Sequence, residues 1–121
     1  MRMFMTLQLL KRKPEADICV IDFSGKLVMG KESRKVEQTV EELLGTGTKK
    51  IIFDLSRLDG IDSTGVGILV MCGGKVRKAG GEVKIAGPVG LVNDTLMLTH
   101  VDRLVKFYPN SKEATQNFGA S

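Results

Sequence analysis

Residues 51–70 read IIFDLSRLDGIDSTGVGILV. The run Ile51-Ile52-Phe53-Asp54-Leu55 has the length and composition of a buried strand, and from Thr64 onward the apolar residues recur at helical spacing. Between them, Gly60-Ile61-Asp62-Ser63-Thr64-Gly65-Val66-Gly67 places an acid, two hydroxyls and three glycines at a strand-to-helix seam. Such a seam joins the strand and the crossover of a parallel α/β unit.

The pattern extends both ways. Downstream, residues 64–79 form a helix with Val66, Leu69, Val70, Gly73 and Val76 on one face and Lys75, Arg77 and Lys78 off it; Gly80-Gly81 ends it. Residues 83–86 form a core strand, 91–99 a short helix, 104–108 a last short strand, and a terminal helix starts at Ser111. Upstream, residues 1–10 read as a first strand and 14–17 as a turn. Residues 18–23, broken only by Asp22, read as a central strand, and Ser24-Gly25-Lys26 as a turn. Leu27-Val28-Met29 is a strand end. From 31 to 44 the period changes: Val36, Val40, Leu43 and Leu44 share a helical face opposite Lys35, Glu37, Glu41 and Glu42, with Gly45 as C-cap. The expectation is a single α/β domain over residues 1–121. Its sheet is mixed but mostly parallel, with four to five strands, one antiparallel edge and about four helices.

Composition narrows the function classes. Apolar residues make up 42% of 121 and tryptophan is absent, so the core is aliphatic and of one-domain size. Net charge is +4, and the basic residues are scattered rather than gathered with aromatics, which argues against direct nucleic-acid binding. No apolar run approaches a membrane span, and the start lacks a small-residue cleavage site. A cytoplasmic protein that does not bind membranes is expected. Cys19 and Cys72 lie in apolar runs and read as buried free thiols; with His100 the sole histidine, no metal site is expected. The apolar first strand offers an edge through which two copies could form a homodimer.

Enzyme templates fail at the seam. A nucleophile elbow needs Gly-x-Ser-x-Gly, but residue 61 is Ile and no histidine partner exists for Ser63. An aspartic-protease site needs two Asp-Thr/Ser-Gly motifs; here Ser63 and Thr64 both separate Asp62 from Gly65, and no second copy exists. Gly25-Lys26-Leu27-Val28-Met29-Gly30-Lys31-Glu32 has phosphate-loop spacing, but Glu32 stands where a hydroxyl should hold magnesium and would repel phosphate. No catalytic residue and no cofactor is expected. Asp62 or Ser63 can cap the helix, and Gly65 and Gly67 thin its first turn so that another chain can approach. Ser63 is then presented at a helix N-terminus, where an attached phosphate meets free N–H groups and sits beside the repelling Asp62.

At these residues the chain resembles the STAS domains, in particular bacterial anti-sigma factor antagonists. The resemblance rests on Ile51 through Ser56 followed by Ile61-Asp62-Ser63-Thr64-Gly65-Val66-Gly67, with weaker support from Phe23 through Leu27 and Ala79 through Val83. It implies a four-helix, one-sheet fold. It also implies that Ser63 is the phosphoacceptor, with Thr64 the alternative. The unmodified protein would sequester a serine kinase that doubles as anti-sigma factor, and a serine phosphatase would reset the switch. Asp62, Ser63, Thr64, Gly65, Val66, Gly67, Leu27 and Val28 would contact the partner. The chain departs from many family members in its basic charge and in Val28, where an acidic residue is common. The alternative implied by the same resemblance is a constitutive STAS subunit of a bacterial lipid-transport ATPase assembly.

Overall fold

The computed structural model describes residues 7–118. Five strands, β1 (Leu7–Glu15), β2 (Ile18–Leu27), β3 (Lys50–Ile61), β4 (Glu82–Ala86) and β5 (Lys106–Tyr108), form one sheet whose spatial order repeats the chain order. β1 pairs antiparallel with β2; the other three pairings are parallel. Four α-helices, α1 (Arg34–Gly45), α2 (Ser63–Lys78), α3 (Gly90–Leu98) and α4 (Ser111–Gln116), and two short 3-10 helices at Lys31–Ser33 and Val101–Arg103 complete the described part. The expected mixed, mostly parallel α/β architecture with an antiparallel edge is the one observed.

The apolar runs are continuous because both faces of β2 and β3 are covered. Cys19, Ile21, Phe23, Ile51, Phe53 and Leu55 point into the larger core, which also takes Val36, Val40 and Leu43 of α1, Leu69, Cys72 and Val76 of α2, and Val92 and Leu96 of α3. The alternate residues Ile18, Val20 and Ile52 face a smaller cluster closed by Ala114 of α4. Phe23 and Phe53 meet edge-to-face at 5.3 Å on adjacent strands. The smaller face also carries polar joints. Arg12 Nε donates to Asp22 at 2.7 Å, and Arg12 Nη2 reaches Asp54 at 3.4 Å and Ser111 Oγ at 2.9 Å.

Several expected boundaries move. The expected first strand begins at Met1; residues 1–6 lie outside the described residues. Ser24-Gly25-Lys26 is not a turn: β2 runs on through it to Leu27, and two register irregularities against β3 absorb the polar residues, with Gly25 at φ 92°. β3 likewise continues past Leu55 to Ile61, although Ser56, Arg57 and Asp59 are exposed. Its pairing with β4 stops at Asp54; beyond that point Leu58 still packs into the core while Ser56, Arg57 and Asp59 reach solvent. Gly45 ends α1 inside the helix, and Gly47 (φ 86°) supplies the left-handed turn instead. The buried stripe of α2 is Gly65, Ile68, Leu69, Cys72, Gly73 and Val76, with Val66 and Val70 half-buried, so it is rotated from the expected one. Small and apolar residues surround most of this helix, and the sequence period alone does not choose the face.

Candidate functional site

The extension of β2 and β3 builds the site. The strands end together, Leu27 paired with Ile61, and the chain leaves β3 directly into α2. Asp62 is the N-cap, in an extended conformation, and its Oδ1 accepts the Gly65 N–H at 2.9 Å. Its Oδ2 accepts the Met29 N–H, also at 2.9 Å, and its own N–H donates to the Leu27 carbonyl at 3.3 Å. One side chain thus joins the start of α2 to the loop that follows β2. These bonds hold the Asp62 carboxyl below the ordinary aspartate range, the Met29 N–H contributing most, against an opposing effect of burial. Asp62 is therefore an anion at neutral pH.

Ser63 is the first residue of α2 and is exposed. Thr64, next in line, is half-buried, as are Val66 and Val28, while Gly67 is exposed with open space around its Cα. Two of the residues expected at a partner surface are inside instead. Leu27 is fully buried, and Gly65 is packed so tightly on the Leu27 carbonyl that a Cβ would run into that oxygen and sit 2.8 Å from Ile61 Cγ1. Gly65 makes room for its own chain rather than for a visitor; Gly67 is the glycine that leaves the helix surface thin. The expected ring of free N–H groups is also reduced, because Asp62 occupies that of Gly65. A phosphate on Ser63 would lie outside the cap and next to a carboxylate.

Sequence reasoning missed Met29. It is 75% exposed, beside a backbone N–H fastened to Asp62, and so projects from the same rim as Ser63. No local signal marks it, since the tie spans 33 residues. The stretch with phosphate-loop spacing is taken up structurally: Gly25 to Leu27 lie in β2, and Glu32 Oε1 accepts the Leu7 N–H at 2.9 Å. Cys19 and Cys72 are buried and unbridged. His100 is exposed and closes α3 in the left-handed region, φ 61°. Among the described residues no group of three or more His, Cys, Asp or Glu is placed to hold a metal, and no helix is long and apolar enough to cross a membrane.

The STAS domain family model matches residues 10–114. A Thermotoga maritima protein, named there as a candidate anti-sigma factor antagonist, is 34% identical over 76 residues, covering 63% of this chain and 67% of that one. The crystal structure of TM1081 from the same organism, described in the same words, superposes with a TM-score of 0.80 at 27% identity over 89% of this chain and 92% of the other. The anti-sigma factor antagonist SpoIIAA shares the fold in its unphosphorylated form (TM-score 0.74, 16% identity, 94% and 100% of the two chains). The phosphorylated form of Bacillus SpoIIAA does so as well (TM-score 0.66, 17% identity, 90% and 98%).

Proposed function

The chain belongs to the STAS domain family, and from that membership we propose that it is an anti-sigma factor antagonist switched by phosphorylation of Ser63. The observation that carries this reading is an exposed serine at the first position of α2, on a turn held from both sides by Asp62. In this reading the chain is a substrate and a binding module, not a catalyst, and it acts in the cytoplasm. Unmodified, it docks on an anti-sigma factor that is also a serine kinase. The kinase brings nucleotide and magnesium, and a serine phosphatase restores the free hydroxyl. The docking rim comprises Asp62, Ser63, Thr64, Val66 and Gly67 with Val28 and Met29, while Leu27 and Gly65 shape it from beneath.

Phosphorylation would change the rim by nearly two negative charges beside the anionic Asp62. The fold need not change for the partner to leave, because Asp62 already satisfies the cap and the added group would stand in solvent. The test is to incubate the protein with ATP and an anti-sigma serine kinase from its own organism, and to map phosphate by mass spectrometry. Phosphate on Ser63, and weaker kinase binding by Ser63→Asp, are expected. No phosphate there together with unchanged binding by Ser63→Asp overturns the switch, and steady co-purification with a transport ATPase would favour a constitutive subunit.

A further inference from the structure

The β4–β5 ladder begins at Lys84 and Lys106, so Glu82 and Val83 at the start of β4 have no β5 neighbour. The chain there turns through Val101–Arg103, and a cleft of about 520 Å³ opens between this turn, the start of β4 and the last turns of α2. That volume is in the range of small-molecule sites. Its apolar lining is Val83, Leu104 and Val105, with Gly73 of α2. Neither backbone nor packing requires glycine at 73: its φ is outside the left-handed region, and a Cβ would meet Val105 Cγ2 at 3.5 Å, an ordinary contact. Glycine inside a helix weakens it relative to alanine, so what Gly73 supplies is room. Arg77 of α2 and Arg103 of the turn also line the cleft, and both are exposed. Arg77 Nη1 donates to the Leu104 carbonyl at 3.4 Å, from one wall to the other. Neither arginine makes an ion pair among the described residues. Glu82 is drawn away, its carboxylate 3.4 Å from Lys84 Nζ on the sheet face opposite to Val83 and α2. Lys106, level with Lys84 in the ladder, takes that same far face. Asp102 remains as the one acid of the lining against two arginines.

We propose that this cleft binds a small monocarboxylate with an apolar body. The guanidinium groups of Arg77 and Arg103 take the carboxylate, which they match in shape and charge. The apolar body lies on Val83, Val105 and the open surface of Gly73, where its burial adds affinity. Charge sets the ligand class. Two arginines against Asp102 leave a single positive charge, and the cleft sits at the end of α2 where the helix dipole is negative. One carboxylate is neutralised there. A nucleotide or a free phosphate would bring excess negative charge beside Asp102 and the last carbonyls of α2, and phosphate would also leave the apolar lining uncovered. The site lies at the opposite end of α2 from Ser63 and rests on no part of the phosphorylation reading.

The experiment is a titration of the whole protein, followed by amide chemical shifts, with phenylacetate, octanoate, the neutral analogue phenylacetamide and inorganic phosphate. Saturable shifts at Gly73, Arg77, Val83 and residues 102–106 are expected with at least one of the two carboxylates. Phenylacetamide should bind at least about tenfold more weakly than phenylacetate, and Arg77→Gln or Arg103→Gln should weaken the bound carboxylate to a similar extent. Asp102→Asn should tighten it, since it removes the like charge. Gly73→Leu should fill the floor and abolish binding, with the remaining amide shifts reporting whether the fold is kept; the two arginine variants carry the test if it is not. The proposal is overturned if neither carboxylate gives saturable shifts at this cleft, or if phenylacetamide or phosphate binds there as tightly. Unchanged affinity in both arginine variants overturns it as well. The titration uses unmodified protein and no kinase, so this reading and the Ser63 switch fail separately.

Discussion

Asp62 and Met29 are 33 residues apart in sequence, yet the carboxylate of one accepts the backbone N–H of the other at 2.9 Å, in the same side chain that caps α2. The exposed serine and the exposed methionine of the rim are therefore fixed relative to each other by a single acid.

Removing that acid should loosen both ends. Asp62→Ala is expected to cost about 1–2 kcal/mol, the range for losing an N-cap, and to increase hydrogen exchange at Met29 and Gly65. The pH dependence follows from the sign of the shift. The folded-state pKa of Asp62 is lowered, so its contribution is fully present above the unfolded aspartate value and disappears as pH falls through the lower folded value. Urea titrations of wild type and Asp62→Ala should differ at neutral pH and converge in acid.

Two glycines of α2 should respond in opposite directions. Gly65→Ala forces a methyl group into the Leu27 carbonyl and Ile61, and a loss of about 2–3 kcal/mol is expected. Gly67→Ala meets open space within a helix and should gain roughly 0.5–1 kcal/mol. Equilibrium denaturation of the pair separates close packing from an open helix surface.

Lys84 is 2% exposed, with Nζ donating to the Tyr108 hydroxyl at 3.0 Å and lying 4.8 Å from the ring centres of both Tyr108 and Phe118. The aromatic rings and the Glu82 carboxylate, 3.4 Å from Nζ, compensate part of the lost hydration of the ammonium group. Lys84→Ala leaves a hole among them and should cost about 2–4 kcal/mol, whereas Lys84→Met fills the space without a buried charge and should cost less than about 1.5 kcal/mol. Thermal unfolding of the two variants tests that order.

Burial pushes the Cys72 thiol up to about 12. Almost no thiolate exists at neutral pH, and a disulfide reagent should not modify Cys72 in the native protein. Modification is expected only as fast as the chain unfolds, and labelling rates in native buffer and in guanidinium measure this.

Much of the architecture was legible because its signals are local. The buried positions Val36, Val40 and Leu43 follow a helical period, the runs at 18–23 and 51–55 are apolar on both faces, and the Asp-Ser-Thr-Gly seam carries cap chemistry next to a helix. What escaped depends on partners distant in the chain. The glycine- and polar-rich segments 24–26 and 57–60 remain strand because each finds the other across the β2–β3 ladder, an arrangement invisible to either segment alone. The roles of Gly65 and Gly67 are separated only by Leu27 lying against one of them. The Arg12, Asp22, Asp54 and Ser111 cluster joins three strands and a helix that have no shared sequence pattern.

A sheet whose spatial order repeats the chain order has a kinetic consequence. Every strand pairs with the strands next to it in sequence, so no pairing waits for a distant segment and loop-closure entropy stays low. Strands can add in the order of synthesis. The bond from Arg12 to Ser111, spanning 99 residues, belongs with the packing of Ala114 on Ile18 and Val20 to the end of that sequence. Ser111→Ala should therefore accelerate unfolding while leaving the refolding rate nearly unchanged in stopped-flow measurements, as befits a clasp that closes after the ladder is built.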